Sequence, residues 1–322
     1  MSLTIENNIL MKNGKPFFYL ADTCWSAFTN IKDNDWDYYL DYRKSQGFNT
    51  LQINILPQWD ASATDLCYEP FEVIDGKYNY KKLNLSYFEH ADKMCARAKE
   101  KGFELALVIM WCNFVPDTWA SQFYSKGIMP IDCIDNYINI IHETFTKYEP
   151  LYIISGDTDF NTEQCIEYYV KCAKQIKELA PNCLYTTHIK GRYTYIPDNL
   201  YSYLDLCFYQ SGHNAQNLGM PYLLAEEMAD KYKGKPIINS EPCYEDMGYS
   251  RQMYGRWSKE DIIRAAWMSL LSGASAGITY GAAGIYSWHT TNKGFEASLG
   301  EGFATPKCGN KLYALMCLGL VV

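Results

Sequence analysis

The chain has 322 residues, of which 48% are hydrophobic and 20% are charged, and its formal net charge is −8. This balance is typical of a folded globular protein and excludes a largely disordered chain. The acidic charge is spread without long runs of one sign, so we expect neither a nucleic-acid partner nor an anionic membrane surface. No apolar run approaches the ~18 residues that a membrane-spanning helix needs.

Short apolar runs alternate with amphipathic segments along the first half of the chain. Strands are predicted at residues 17–21, 49–55, 103–110 and 151–154, and helices at residues 35–46, 85–101, 132–148 and 163–179. Gly47 and Gly102 directly follow two of these helices, as glycine caps commonly do. About 30 residues after the second strand are predicted to form one long loop, and loops of that length are usually functional.

The second half continues the same alternation. Strands are predicted at residues 184–188, 204–209, 236–239 and 277–280, and helices at residues 221–232 and 259–272. After residues 294–309, the apolar residues 311–322 are expected to form an eighth helix that is cut short. Eight such units predict the α/β class and one (β/α)₈ barrel, a TIM barrel, that spans residues 1–322 as a single domain. The competing open sheet usually carries a glycine-rich phosphate loop after its first strand, and residues 21–25 (ADTCW) are not one.

Aromatic residues make up 16% of the chain, including 28 Tyr and 8 Trp. One interpretation is a core and surface rich in tyrosine. The other is a cleft lined by aromatic rings, since sugars stack on flat apolar faces that keep a polar edge. Composition alone leaves both interpretations open.

The chain contains twelve cysteines but no CxxC motif. Their spacing therefore excludes a zinc-ribbon site and a thioredoxin-like redox motif. Most of them lie in apolar segments, which predicts reduced core residues in a cytoplasmic protein. Residues 1–8 lack a basic region followed by an apolar run, although secretion remains the alternative if a leader has been removed.

Two acidic residues follow predicted strands at the end of the barrel where active sites form. Asp157 follows the fourth strand and Glu241 the seventh, and these strands lie across a narrow opening from each other. Glycoside hydrolysis needs one carboxylic acid to protonate the leaving oxygen and one carboxylate to attack or to activate water. The sequence therefore predicts Asp157 as acid/base and Glu241 as nucleophile. A helix cap and a loop carboxylate are the alternatives, and Asp159 and Glu245 are nearby rivals.

Polar and aromatic side chains close to the strand ends and in the adjoining loops are candidate substrate-binding residues. They are Asp22, Trp25, Gln52, Trp111, His188, Gln210, His213, Tyr244 and Trp288. Indole rings suit sugar stacking, and amide and imidazole groups suit sugar hydroxyls. Core packing for each Trp and a purely structural hydrogen bond for each His remain alternatives.

The sequence predicts neither a metal nor a cofactor. Metal-dependent barrel hydrolases typically place an HxH pair after strand one, where this chain has Asp22, Thr23 and Cys24. The chain has only five histidines and no close pair of them, which makes a histidine-rich metal centre a poor fit.

Six segments in order resemble the apiosidase-like (β/α)₈ glycoside hydrolases that act on plant cell-wall pectin. They are residues 13–25 (NGKPFFYLADTCW), 47–52 (GFNTLQ), 154–157 (ISGD), 210–213 (QSGH), 239–245 (NSEPCYE) and 280–286 (YGAAGIY). The resemblance implies a retaining mechanism, with the Asp of the Gly-Asp motif as acid/base and the Glu of the Asn-x-Glu-Pro motif as nucleophile. Those positions are Asp157 and Glu241.

The leading hypothesis is thus a retaining glycoside hydrolase that cleaves an O-glycosidic bond by double displacement. Its substrate would be a plant-derived oligosaccharide or a small glycoside. The main alternative is a non-catalytic carbohydrate-binding barrel, and a weaker one is a metal-dependent barrel hydrolase. The sequence does not indicate the sugar, the linkage or the oligomeric state.

Overall fold

The computed structural model describes residues 3–250 and 255–290, and a sheet of eight parallel strands lies at its centre. In chain order, barrel strands one to eight are Tyr19–Thr23, Thr50–Asn54, Glu104–Trp111, Leu151–Gly156, Leu184–Thr186, Cys207–Tyr209, Ile237–Asn239 and Gly277–Tyr280. All eight predicted strands are confirmed. Parallel ladders join strands one to five in sequence and join strand one to eight, eight to seven and seven to six.

The remaining seam lies between strands five and six. Backbone hydrogen bonds cross it at two levels: the Asp205 amide donates to the Tyr185 carbonyl at 2.8 Å, and the Arg192 amide donates to the Gln210 carbonyl at 2.9 Å. The sheet is therefore a nearly closed barrel, and the predicted (β/α)₈ fold is confirmed.

Helices cover the outside of the barrel. The longer ones are Asp33–Ser45, Leu85–Glu100, Ile134–Phe145, Glu163–Leu179, Met220–Lys231 and Lys259–Leu271. Single turns lie at Ala27–Asn30, Asp198–Tyr201 and Ala283–Tyr286. Within residues 3–250 and 255–290, no helix is both long and apolar enough to cross a membrane. The expected eighth helix at residues 311–322, and the preceding 294–309, lie outside the described residues.

Local sequence signals explain where several helices begin and end. The Thr162 hydroxyl accepts the Cys165 amide at the start of helix Glu163–Leu179. Ser258 and Asp261 form a reciprocal capping box at the start of helix Lys259–Leu271. These caps satisfy amide groups that have no partner inside a helix.

A three-stranded antiparallel sheet precedes the barrel and was not predicted. Its strands are Leu3–Glu6, Ile9–Lys12 and Lys15–Pro16. Lys12 pairs with Glu104, the first residue of barrel strand three, at 2.5 Å. The small sheet therefore lies at the amino-terminal end of the barrel, away from the expected active site.

The predicted single long loop after strand two is wrong in part, because it contains a hairpin. Strands Phe71–Ile74 and Lys77–Leu83 pair antiparallel across an Asp75-Gly76 turn. Asp-Gly between alternating apolar residues is a strong hairpin signal. Tyr78 and Tyr80 bury one face of the hairpin, so the segment behaves as half-buried antiparallel sheet.

A fully buried ion pair joins strand one to the following helix. The Arg43 Nε atom lies 2.5 Å from the Asp22 Oδ2 atom, and both side chains are shielded from solvent. The Tyr39 hydroxyl donates to the same oxygen at 2.6 Å, and the Tyr280 ring lies 5.3 Å from the guanidinium. Asp22 therefore holds helix Asp33–Ser45 against barrel strand one.

We expect Arg43→Met to lower the free energy of unfolding by about 3–5 kcal/mol, because it leaves the Asp22 carboxyl buried without its partner. Urea unfolding followed by circular dichroism measures the change. The control is Arg97→Met, which removes a half-exposed pair with Asp37 and should cost less than ~1 kcal/mol. If both variants lose the same free energy of unfolding, the buried Asp22–Arg43 pair does not have the expected stabilising role.

Candidate active site

A cleft of about 430 Å³ opens at the carboxyl-terminal end of the barrel strands. The structure brings seven of the predicted site residues to its walls: Trp25, Trp111, Asp157, Gln210, His213, Glu241 and Tyr244. They come from the ends of strands one, three, four, six and seven and the loops that follow. Active sites of (β/α)₈ barrels form at this end of the strands.

Two histidines hold the Glu241 carboxylate. The His213 Nε2 atom lies 2.8 Å from Glu241 Oε1, and the His188 Nε2 atom lies 3.1 Å from Glu241 Oε2. The Tyr244 amide donates to His213 Nδ1 at 3.3 Å. Since Nδ1 accepts, the hydrogen of neutral His213 must lie on Nε2, where it donates to Glu241.

His188 directs its Nε2 atom at Glu241, and because a carboxylate only accepts, Nε2 carries a hydrogen. Its Nδ1 atom lies 2.9 Å from the Ser240 hydroxyl, which also donates to the Tyr209 carbonyl at 3.1 Å. His188 has no solvent exposure and does not itself face the cleft. The rings of Trp25 and Trp111 lie 5.6 and 5.4 Å from its ring, so the imidazole packs against both indoles.

These contacts keep Glu241 ionised. Burial raises the pKa of its carboxyl, but the hydrogen bonds from His188 and His213 outweigh that effect and lower the pKa to about 2. A carboxylate that accepts two N–H groups is stabilised in its charged form. Glu241 is therefore an anion at neutral pH, in the state required of a nucleophile.

Asp157 lies on the strand-four side of the cleft. Gln210 Nε2 donates to its Oδ1 atom at 2.5 Å, and Trp119 Nε1 donates to its carbonyl at 2.7 Å. Its backbone is left-handed, with a φ of 49°. That conformation costs on the order of 1 kcal/mol in a residue with a side chain, and such residues cluster at functional sites.

The environment of Asp157 has the opposite effect on its charge. Burial, followed by the negative charge of Glu241, raises the pKa of Asp157 well above its usual range, against the smaller influences of Gln210 and Lys190. A buried carboxyl beside a carboxylate holds its proton because two like charges cannot both be stabilised there. The site thus pairs a carboxyl group whose pKa is raised with one whose pKa is lowered.

The position of the Trp111 ring requires a glycine at residue 156, directly before Asp157. A Cβ atom on Gly156 would lie 2.1 Å from Cε3 of Trp111, so any side chain at that position displaces the indole. Trp111 also packs edge-to-face on Trp25 at 5.2 Å. The motif glycine at position 156 therefore leaves room for the aromatic wall of the cleft.

Tyr244 connects that aromatic wall to Glu241. The Trp25 Nε1 atom donates to the Tyr244 hydroxyl at 2.9 Å. Burial, then the charge of Glu241, raises the pKa of the Tyr244 hydroxyl. Tyr244 is therefore a neutral phenol beside the carboxylate.

Besides His188, three candidate residues do not reach the cleft. Asp22 points outward to Arg43, as described above. Gln52 lies inside the barrel, where its side chain bonds to Tyr19 and to the Ser240 carbonyl. Trp288 packs edge-to-face on Tyr39. Their positions near the barrel mouth fit the sequence pattern, but their side chains take other directions.

The rival carboxylates also lie outside the cleft. Asp159 accepts from Lys190 Nζ at 2.7 Å, and Glu245 accepts from the Tyr280 hydroxyl at 2.8 Å. Neither side chain lines the cleft. Across residues 3–250 and 255–290, no group of three or more His, Cys, Asp or Glu side chains is placed to hold a metal ion.

Residues that the sequence did not single out complete the cleft. They are Gln58, Trp59, Asp60, Trp119, Met247 and Tyr286. Gln58, Trp59 and Asp60 belong to the long segment after strand two. The length of that segment was the only feature of the sequence that marked it as functional. Tyr286 ends the last of the six family-like segments. The rings of Trp59 and Trp119 meet edge-to-face at 5.4 Å.

Lys190 gives a test of the Asp157 environment. Its charge favours ionised Asp157, so Lys190→Met should raise the pKa of that carboxyl further. An acid catalyst loses activity as pH rises through its pKa, and the alkaline limb of kcat/KM should therefore move to higher pH. Lys171→Met, which removes a surface partner of Asp135, is the control. An unmoved limb, or one at lower pH, would contradict the assignment.

Comparison with protein families gives one match that spans most of the chain. The model described as "Apiosidase-like, catalytic domain" matches residues 5–303. That range contains all eight barrel strands, both carboxylates and both histidines. Among curated protein sequences, none matches the chain.

Solved structures share the fold. A family 5 glycoside hydrolase from Bacteroides vulgatus has a TM-score of 0.76 at 24% identity, over 92% of this chain and 66% of that one. A second structure, named only as a glycoside hydrolase, has the same score and identity over 95% and 69%. An endo-1,4-beta-mannanase from Rhizomucor miehei has a TM-score of 0.58 at 12% identity, over 87% and 90%. The chain spans about two thirds of the length of the first two.

Proposed function

Since the chain belongs to the apiosidase-like family of glycoside hydrolase catalytic domains, we propose that it cleaves an O-glycosidic bond with retention of configuration. The proposed substrate is a plant-derived oligosaccharide or a small glycoside. The observation that carries this proposal is that Asp157 and Glu241 line one cleft, where two histidines contact Glu241 alone. The pKa of Asp157 is raised there and the pKa of Glu241 is lowered. Pairs of carboxyl groups whose environments separate their pKa values take separate acid and base roles.

In the first step, Glu241 attacks the anomeric carbon while Asp157 gives its proton to the leaving oxygen. The bond from the anomeric carbon to that oxygen breaks, and an ester bond to Glu241 forms. Oxocarbenium character develops on the sugar, which the Glu241 anion stabilises. His188 and His213 keep the carboxylate ionised and oriented.

In the second step, Asp157 is ionised and acts as the base. It removes a proton from water, the water oxygen attacks the anomeric carbon, and the ester to Glu241 breaks. Two displacements at the same carbon return the original configuration. Once Glu241 carries no charge in the intermediate, one cause of the raised pKa of Asp157 is gone, which suits its change from acid to base.

Shape and charge in the cleft support a sugar substrate. Trp25, Trp59, Trp111 and Trp119 supply aromatic surface on its walls, and Gln210 and His213 supply hydrogen-bonding groups beside the carboxyl pair. Such a mixture is suited to pyranose and furanose rings, which present apolar faces and polar edges. Among the residues that the structure describes, no contact favours a purely binding role over hydrolysis.

A hydrolysis screen tests the proposal. Aryl glycosides of common pentoses and hexoses and a set of pectic fragments are incubated with the protein and with Glu241→Gln. Release of aryl alcohol or sugar by the parent protein, lost in the variant, is the expected result. Equal release by both proteins would contradict the proposed role of Glu241, and binding of these sugars without hydrolysis would favour the non-catalytic alternative.

A further inference from the structure

A third carboxyl group lines the cleft beside the catalytic pair. Asp60 lies in the segment after strand two and is 4% exposed. Its Oδ2 atom accepts from the Tyr286 hydroxyl at 3.1 Å. Its Oδ1 atom is buried and has no hydrogen-bond partner in the described part of the chain. Neither step of the proposed mechanism uses this residue.

This arrangement is unfavourable for the ionised form of Asp60. Burial raises the pKa of Asp60 to about 6, with the nearby Gln58 and Tyr286 side chains only partly opposing it and the charge of Glu241 adding to it. A buried acceptor without a donor costs more than a made hydrogen bond returns. Such a group requires an explanation, and a ligand that supplies the donor is one.

The surroundings limit what that ligand is. Three carboxyl groups, Asp60, Asp157 and Glu241, face one cleft. Among its lining residues in the described ranges there is no lysine or arginine. An anionic sugar would therefore meet the like charges of Asp60 and Glu241 without a lysine or arginine beside it, which disfavours its binding. A neutral sugar brings hydroxyl donors and no charge.

We propose that Asp60 is a specificity-determining residue that accepts hydrogen bonds from hydroxyl groups of the sugar bound between Asp157 and Glu241, and that it restricts this position to neutral sugars. The proposal rests on the proposed hydrolase function. It deepens that function by separating neutral glycosides from uronides as substrates. The unpartnered Trp111 Nε1 atom, on a ring that lines the same cleft, provides a donor for a sugar oxygen.

The first arm of the test uses the best neutral aryl glycoside from the screen and its monodeoxy analogues. Asp60→Asn should lower kcat/KM for the parent glycoside by about 10- to 100-fold, the range expected for one hydrogen bond to a charged group. For one deoxy analogue the variant and the parent protein should differ by less than about threefold, because the hydroxyl that Asp60 binds is already missing. Equal losses on every analogue would overturn the proposed hydroxyl contact.

The second arm compares matched neutral and uronide substrates, such as a 4-nitrophenyl galactoside and galacturonide or glucoside and glucuronide. The parent protein should prefer the neutral member. Asp60→Asn should raise the ratio of uronide to neutral kcat/KM by about tenfold or more, since one buried like charge is removed. A parent protein that prefers the uronide, or a ratio that the variant leaves unchanged, would overturn the restriction to neutral sugars.

Stability gives a readout that does not depend on a substrate. The pKa of Asp60 is raised from 3.8 to about 6 by folding, so its contribution to stability is full below pH 3.8 and is lost as pH rises through 6. Asp60→Asn should therefore raise Tm at pH 8 relative to the parent protein, with the difference vanishing near pH 4. If Asp60→Asn has a lower Tm than the parent protein at pH 8, the claim that ionised Asp60 lacks a hydrogen-bond donor is wrong.

Two controls separate this inference from the proposed function. Asp65→Asn removes an exposed charge from the same segment and should leave both substrate ratios unchanged. Tyr286→Phe removes the donor to Asp60 Oδ2 and should lower kcat/KM for the parent glycoside by less than Asp60→Asn does. If Glu241→Gln abolishes hydrolysis while Asp60→Asn behaves like Asp65→Asn, the inference fails and the hydrolase function stands. If Glu241→Gln keeps full activity, the function itself fails.

Discussion

Glu241→Gln should lower kcat/KM by about 10⁴-fold or more on any substrate that the protein cleaves, because it removes the proposed nucleophile. The amide is a weak nucleophile and carries no charge to stabilise an oxocarbenium ion. The amide nitrogen of the variant would also replace a carboxylate oxygen that accepts from His188 or His213. Its N–H groups would then face a histidine N–H group, so that two donors meet. The loss should therefore appear in kcat and be independent of the leaving group.

The matched control is Glu245→Gln, four residues further along the same loop. Glu245 accepts from the Tyr280 hydroxyl and does not line the cleft. Its variant should retain activity within about threefold, since surface and near-surface changes away from the site have small effects. A larger loss in Glu245→Gln than in Glu241→Gln would reverse the assignment. Thermal melts of both variants confirm that each is folded.

Asp157→Asn should have the second largest effect, and its size should depend on the substrate. For a glycoside with a poor leaving group, loss of the proton donor should lower kcat/KM by about 10²–10⁴-fold. For an activated aryl glycoside, whose leaving group needs no proton, the first step should be nearly normal and the second slow. A burst of aryl alcohol followed by a slow steady state is the expected time course.

Azide provides the control for the same variant. A small anion needs no base, so it should attack the intermediate on Glu241 and restore turnover of the activated substrate, with a glycosyl azide as product. Asp159→Asn, which changes a carboxyl that pairs with Lys190 outside the cleft, should show neither the burst nor the rescue. A loss in Asp157→Asn that is equal for all leaving groups would contradict the acid/base role.

The barrel was predictable because its signals are periodic. Apolar runs of strand length alternate with amphipathic helical segments, and glycines 47 and 102 stand at helix ends. The carboxylates could be predicted for the same reason. Asp157 and Glu241 directly follow the fourth and seventh strands, and parallel strands of one barrel end at the same mouth.

Side-chain direction limited what could be predicted near the strand ends. Asp22 lies one residue from the end of strand one, yet neighbouring residues of a strand point to opposite faces, and Asp22 points to Arg43 on a helix. Gln52 points inward but lies too deep, among Tyr19 and Thr279 in the barrel interior. A shift of one or two residues along the strand would have changed the direction of the Asp22 side chain and the depth of Gln52 in the barrel.

Loop residues were the other limit. Asp60 and Trp59 belong to a segment without strand or helix periodicity, and Trp119 lies in an irregular stretch after strand three. Their place in the cleft depends on contacts between distant segments, such as the bond from Trp119 to the Asp157 carbonyl. Sequence spacing carries no information about such contacts, although the length of the segment marked it as functional.

The anomeric configuration of the first product tests the central claim most directly. Proton NMR of the best substrate from the screen, recorded before the free sugar mutarotates, distinguishes the two outcomes. The double displacement by Glu241 and Asp157 predicts a first-formed sugar of the same anomeric configuration as the substrate. A first product of opposite configuration would contradict it, since it would mean that water attacks in a single displacement and that Glu241 forms no covalent intermediate.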